Sequence, residues 1–308
     1  MPKCWTIILL FFFNQAMANP CVKSTAFCLK RYDELTFLTT HNSFNYAWRG
    51  KIKKTGPKAY LFPNQNLPIE DQLHDGVRAF MLDLHPYQGP LKKYKNQVIL
   101  CHGGKACGLL GMELAQNVFK NFRTFLEENP QEILTFILES YVSTRDLKQS
   151  LEKAGLTSYL HCQSPHASWP LFKEMIEAPL SDDKHSPTCN KKGRLVILND
   201  RREENDPAWN LDLFGHFAFE TKYSYQKIND LDCDLNRGNP SHSLFIFNHF
   251  TTFISGKKRD AKKINRYHFL KKRIHNCQIK NQRKINFLTI DFFKNGETLK
   301  VVDELNHL

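Results

Sequence analysis

Histidines, carboxylates and carboxamides recur in this chain at the C-terminal ends of short apolar runs. His41-Asn42 closes Leu35–Thr40, Asp83 and His85 end Val77–Leu84, His102 follows Val98–Cys101, and Glu139 follows Ile133–Leu138. Asn199-Asp200, Asn248-His249 and Asp291 close Arg194–Leu198, Ser243–Phe247 and Asn286–Ile290. One such residue is ordinarily a cap or a loop anchor, but the same placement at seven runs is a pattern. Two histidines suit the cleavage of a phosphodiester. One imidazole takes the proton of an attacking hydroxyl and the other protonates the departing oxygen. Asn42, Asp83 and Glu139 supply oxygen donors of the kind Ca²⁺ or Mg²⁺ accepts. The chain has no G-x-S-x-G and no H-E-x-x-H, which disfavours serine hydrolase and zinc peptidase chemistry.

The elements that position these residues follow from the runs themselves. With Phe217–Thr221 they number eight, and each is β-branched or aromatic and nearly continuous in apolarity. Parallel strands buried on both faces have that composition. Helical patterns fall between them at Leu110–Glu128, Thr144–Ala154, Pro170–Ala178, Lys262–Cys277 and Glu297–Leu305. The alternation predicts a single-domain (β/α)₈ barrel, whose active sites are built on the rim formed by the strand C-termini. An open doubly wound sheet is the alternative, but no Gly-rich phosphate loop follows any run. Closing the barrel sets the eighth strand beside the first. Asp291 is therefore expected next to His41, fixing its tautomer and raising its basicity. Arg78 is an odd number of residues from Asp83 and so should face the helices in a structural role.

Several segments resemble the X domain of phosphatidylinositol-specific phospholipases C. They are Thr40-His41-Asn42-Ser43, Gln72–His85 (QLHDGVRAFMLDLH), Leu100–Gly103 (LCHG) and Asn129–Glu139 (NPQEILTFILE). The closer likeness is to secreted, single-domain phospholipase C-like phosphodiesterases of bacteria, fungi and plants. It adds Leu61–Gln65 (LFPNQ), Asn236-Arg237-Gly238, Asn248-His249-Phe250, Asp291-Phe292-Phe293 and Val302–Asn306 (VDELN). The resemblance runs from about Cys28 to Asn306 and implies an irregular (β/α)₈ TIM barrel. It implies a general base at His41, a general acid at His102, and metal-ligand positions at Asn42, Asp83 and Glu139. Two residues before Asp83, where the calcium-dependent enzymes carry a carboxylate, this chain has Met81. A thioether is a poor Ca²⁺ ligand, so calcium dependence is an open expectation. The substrate implied is phosphatidylinositol or a related lipid at an anionic membrane surface. The rivals are a glycerophosphodiester or sphingolipid phosphodiesterase on the same barrel, and a non-catalytic barrel that binds lipid headgroups.

Residues 1–18 read as a secretory signal, with Lys3, the apolar run Ile7–Phe13 and an Ala16-Met17-Ala18 cleavage site. Residues 19–308 are then one exported barrel domain with no later segment long enough to span a bilayer. Eight cysteines remain after the signal, an even number that suits disulfides in an oxidising compartment. Cys21–Cys28 and Cys101–Cys107 are the expected short-range pairs, with Cys233–Cys277 a third. The formal net charge of +12 concentrates in Lys51–Lys58, Lys92–Lys95 and Lys257–Lys284, stretches able to meet anionic lipid. No zinc-finger, RNP-like or G-x-G-x-x-G pattern points to dedicated nucleic-acid binding.

Overall fold

The structure, a computed structural model, describes residues 25–46, 63–102, 107, 111–180, 192–202, 207–252 and 256–307. Its eleven strands are β1 Phe37–Thr40, β2 Ala79–Pro86, β3 Val98–Leu100, β4 Glu113–Leu114, β5 Leu134–Ser140 and β6 Leu195–Asn199, followed by β7 Asn210–Asp212, β8 Ala218–Thr221, β9 Leu235–Gly238, β10 Leu244–His249 and β11 Phe287–Ile290. They form one curled sheet in the order β7-β6-β5-β2-β1-β11-β10-β8-β9. Every neighbour along this path is parallel except β9, which runs antiparallel to β8. Strands β7 and β8 do not pair and are joined by a single π-helical turn, Leu213–Phe217. The result is the expected irregular barrel in one mixed α/β domain.

The membership of that barrel differs from the sequence expectation at one strand. Val98–Leu100 is not a barrel strand. It folds back on β2 as an antiparallel hairpin, Leu84 opposite Leu100, and continues to the short β4. The connection from Pro86 to Val98 holds only the short 3₁₀ turn Lys92–Tyr94, too little for the crossover helix a parallel strand needs, so the chain turns back. The eighth parallel strand is instead Asn210–Asp212, whose polar ends hide it in the sequence. The pattern Lys262–Cys277 is likewise two helices, Lys258–Ile264 and Tyr267–Asn281, separated at the buried Asn265. The helix Thr144–Ala154 keeps its expected bounds because its ends are capped. Ser143 Oγ accepts from the Asp146 N–H, and Gly155 takes the left-handed conformation at φ 72°.

Alternation along the strands sorts the core into two shells. Leu38, Phe80, Phe136, Ile197, Phe245 and Leu288 face outward onto helix residues such as Phe119 and Phe122. Phe37, Ala79, Ile137, Leu198, Ile246 and Phe287 fill the barrel interior, with Met81 packed against them. Two-residue steps along this inner register lead to Asp83, Glu139, Asp200, Asn248 and Asp291 at the barrel mouth. Arg78 lies on the outer register. Its guanidinium makes two 2.8 Å bonds to Glu132, caps the carbonyls of Leu73 and Val77, and sits over Phe125.

Disulfides join Cys101 to Cys107 and Cys233 to Cys277, two of the three expected pairs. Cys28 and Cys162 are disulfide-bonded as well. Cys21, the expected partner of Cys28, and the signal stretch 1–18 lie outside the described residues. No helix among the described residues is long and apolar enough to cross a membrane. The Cys233–Cys277 bridge ties the segment before β9 to the helix Tyr267–Asn281 across 44 residues. Closing a loop of that length restricts the unfolded chain by about 4 kcal/mol in the chain-entropy account. Replacing both cysteines by alanine should lower the unfolding free energy by ~2–5 kcal/mol in urea titrations. An unchanged midpoint and slope would show that the bridge contributes no stability.

Candidate active site

Strand β1 pairs with β11 in parallel, Thr40 beside Ile290, and the His41 N–H donates to the Ile290 carbonyl. Side chains leaving these two ends therefore meet. His41 Nδ1 lies 2.9 Å from Asp291 Oδ1, although 250 residues separate them. The Gln65 side-chain amide locks the joint by donating to the carbonyls of both His41 and Ile290, at 2.8 and 2.9 Å. The His41 ring lies flat on Phe250, with centroids 4.0 Å apart and planes 9° apart. Asp291 is almost fully buried, and both its carboxylate oxygens also accept from Asn64 Nδ2. Gly256 makes that cradle possible. A Cβ there would fall 2.5 Å from Asp291 Oδ2 and 3.1 Å from Asn64 Nδ2.

The second histidine arrives by way of the hairpin. Strand β3 returns along β2, the Cys101 N–H reaches the Asp83 carbonyl, and His102 Nδ1 sits 2.9 Å from Asp83 Oδ2. Bonding to Asp83 raises the His102 pKa above the ordinary imidazole value, with Glu139 and Asp291 adding to the effect against the cost of burial. Asn42 connects the halves. Its φ of 45° is a left-handed conformation that Asn tolerates better than most residues. That turn brings Asn42 Nδ2 within 3.3 Å of both His102 Nδ1 and Asn64 Oδ1. A continuous polar chain thus runs from Asp291 through Asn64 and Asn42 to His102 and Asp83.

Glu139 stands beside Asp83 in the β2–β5 register and accepts the Tyr141 hydroxyl, which pushes the phenol up to about 12. Tyr141 stacks on His85 at 4.3 Å, and the Arg201 guanidinium lies 4.1 Å from its ring centre. Burial raises the Asp200 carboxyl to about 6, opposed by the Ser140 N–H and by Arg237 and Arg201. Arg237, from the antiparallel β9, binds Glu220 at 2.6 Å and reaches Asp200 at 3.6 Å. Its guanidinium packs against the rings of Phe214 and Tyr223.

The structure therefore brings His41, Asn42, Asp83, His102 and Asp291 into one network and sets Glu139 beside it. His249 points the other way. It is buried on the outer register, Nε2 donating to the Ile264 carbonyl and Nδ1 accepting from Arg273, and burial pushes its pKa down to about 3. Asn199 is tied to Asn210 in the sheet. Sequence reasoning assigned no role to Asn64, Gln65, Phe250, Gly256 or Glu220. Asn64, Gln65 and Phe250 carried a signal only as members of the resembling segments LFPNQ and Asn248-His249-Phe250, and Glu220 as a carboxylate inside the apolar run Phe217–Thr221.

The donor set is short for calcium, and water and substrate phosphate would have to complete its shell. One oxygen of Asp83 is engaged by His102, Glu139 holds Tyr141, and Met81 packs on the interior apolar cluster. Asn42, Asp83 and Glu139 offer three side chains, where Ca²⁺ takes six to eight oxygens. His85, Cys101 and Cys107 lie close enough to share a metal, but both sulfurs are consumed by the disulfide.

Comparisons with known proteins bear on this geometry. A family model described as PI-PLC X matches residues 27–306. A PI-PLC X domain-containing protein of Arabidopsis thaliana is 26% identical over 298 residues, covering 89% of this chain and 62% of that protein. An uncharacterized secreted protein of Arthroderma benhamiae is 22% identical, covering 94% of this chain and 64% of that protein. The chain thus spans less than two thirds of either relative. Among solved structures, the phosphatidylinositol-specific phospholipase C of Staphylococcus aureus superposes with a TM-score of 0.50 at 13% identity. That match covers 85% of this chain and 87% of that one, a likeness of fold.

Two outcomes follow from the carboxylate contacts. Asp83→Asn should lower the His102 pKa, read from the pH dependence of its imidazole NMR shifts, because its largest raising interaction is gone. Folding raises this pKa, so the pair's stabilisation is complete below about pH 6.5 and fades as pH rises through the folded value. In Asp83→Asn that pH dependence should flatten. Gly256→Ala should displace Asp291 and broaden or shift the His41 resonances; an unchanged His41 spectrum would show that the cradle tolerates a methyl group.

Proposed function

Since the chain belongs to the PI-PLC X domain family, we propose that it is an exported phosphoric diester hydrolase of the phospholipase C type, acting on phosphatidylinositol-like lipids. The observation that carries this reading is the pair of imidazoles, each held at Nδ1 by its own carboxylate. Engaging Nδ1 directs both Nε2 atoms to the work of proton transfer.

His41 acts as the general base. Its Nε2 removes the proton from a hydroxyl adjacent to the phosphate, and that oxygen attacks phosphorus. His102 acts as the general acid. The raised pKa keeps its imidazolium populated, so Nε2–H gives its proton to the departing lipid alcohol as the P–O bond breaks. The internal attack makes the step unimolecular and yields a cyclic phosphate. Water then opens the ring with the two histidines in reversed roles. Inositol fits because it carries a hydroxyl next to the phosphate. The buried Asp291, braced by Asn64, holds His41 in one tautomer. No step is assigned to calcium, given the short donor set. That shortfall, with Met81 in the apolar interior, favours as a second reading a barrel that binds lipid headgroups without cleaving them. Export rests on the N-terminal pattern and on the secreted relative.

Purified protein incubated with a panel of phosphodiester lipids, with and without a chelator, tests both readings. We expect cyclic inositol phosphate by phosphorus NMR, at a rate the chelator leaves unchanged. His41→Ala and His102→Ala should each lower turnover by at least ~10²-fold, the scale for losing a positioned base or acid. Asp291→Asn should cost less and shift the acidic limb of the rate profile. Histidine variants that match the parent on a substrate the parent cleaves would remove the assignment. Binding without turnover across the whole panel would favour the second reading.

A further inference from the structure

A recess of about 760 Å³ opens among the helices Lys258–Ile264, Tyr267–Asn281 and Thr298–Asn306, outside the histidine site. Lys262, Arg266 and Lys300 line it, with Tyr267, His268 and Glu297. Three cations thus face one carboxylate, and that carboxylate is engaged: Glu297 Oε2 accepts the Tyr267 backbone N–H at 3.0 Å. The nearby acids are paired elsewhere, Glu304 with Lys271 and Asp75 with Lys294. Lys300 rests over the Tyr267 ring, and among the described residues none of the three cations has an ion-pair partner. Three cations against the single carboxylate of the lining leave the recess with a net positive charge, and an arriving anion relieves the repulsion among them.

The recess lies at the same end of the barrel as the histidines. Strands β10 and β11 end at His249 and Ile290, and the two longer helices start from that end. Asn265, adjacent to Arg266, donates to the Asp291 carbonyl at 3.0 Å and accepts from the Glu297 N–H. One wall therefore serves both the recess and the proposed base. The helices that line it carry further exposed charge and apolar area. Lys258, Arg259, Lys263 and Lys272 are exposed on the first two of them, and Phe269 and Leu299, on the first turns of the two longer helices, are 37% and 39% exposed.

The geometry points to a docking site for an anionic lipid surface, with a headgroup phosphate in the recess between Lys262, Arg266 and Lys300. Cations next to exposed apolar side chains match a membrane interface, where charge meets phosphate and the apolar groups enter the acyl boundary. A soluble polyanion would leave Phe269 and Leu299 unused. The site rests on the phospholipase reading only for the reason the barrel mouth should face a bilayer; binding itself requires no turnover.

The test is co-sedimentation of the full chain with vesicles of phosphatidylcholine alone or mixed with phosphatidylserine, neither of which carries inositol. Binding should need phosphatidylserine and weaken as salt is added. The triple variant Lys262→Glu, Arg266→Glu, Lys300→Glu should bind at least about tenfold more weakly, since each basic side chain near an anionic surface contributes on the order of a twofold to fivefold gain. A neutral triple of glutamines should fall between parent and triple Glu variant. The matched reversal Lys120→Glu, Lys153→Glu, Lys173→Glu, on other helices, should keep parental binding. Turnover of a monodisperse short-chain substrate should be the same in parent and triple variant. That arm separates failure of docking from failure of the catalytic reading. The proposal is overturned if the triple variant binds like the parent, if the matched reversal loses as much, or if the recess captures a DNA duplex in preference to vesicles.

Discussion

The pairing of β1 with β11 is the constraint on which the rest of this molecule depends. It joins the first and last strands of the sheet in register from Phe37–Phe287 to Thr40–Ile290. Without it His41 would have no carboxylate, because Asp291 reaches the imidazole only through that register. The Gln65 amide spans both strand ends, so a slip of either strand would break two of its bonds. A one-residue slip would also turn Asp291 onto the helix face. Register, carboxylate and imidazole are fixed together.

The two halves of the site are built to different standards of rigidity. His41 is held from two sides, by Asp291 at Nδ1 and by Phe250 across one face of the ring. His102 stands on a hairpin turn with 41% of its side chain exposed, restrained by Asp83 and by the adjoining disulfide. In the proposed reaction a base that must find a particular hydroxyl benefits from a fixed direction. The proposed acid, which must follow a departing oxygen, is served by a looser support, with Asp83 raising its pKa.

Much of this arrangement could be read from the chain, and what could not has physical reasons. Polar residues at the ends of apolar runs marked His41, Asp83, Glu139 and Asp291, because a parallel strand must be apolar until it leaves the barrel. Asn210–Asp212 escaped notice since three residues with polar ends carry no apolar signature. Val98–Cys101 misled for the opposite reason: it is apolar enough for a barrel strand, yet it covers β2 from a hairpin. His249 looked like Asp83 in sequence but sits one step out of phase, on the helix face beside Arg273. Asn64, Gln65 and Gly256 lie in loops, where nothing local announces that a carboxylate 227 residues away, a main-chain carbonyl 225 residues away, or a missing Cβ completes a hydrogen-bonding shell.

The β1–β11 joint also imposes a timetable on biosynthesis. The ribosome delivers His41 well before Asp291, with every other strand of the sheet in between. Nascent chains of intermediate length carry both imidazoles but lack the strand that seats one of them. Such chains also present β1 with an open edge where β11 will dock. Competence arises late and all at once, when the final strand slots between β10 and β1. A protein whose proposed reaction would damage the membranes of the cell that makes it is, by topology, without the carboxylate that seats its base until that strand has been made.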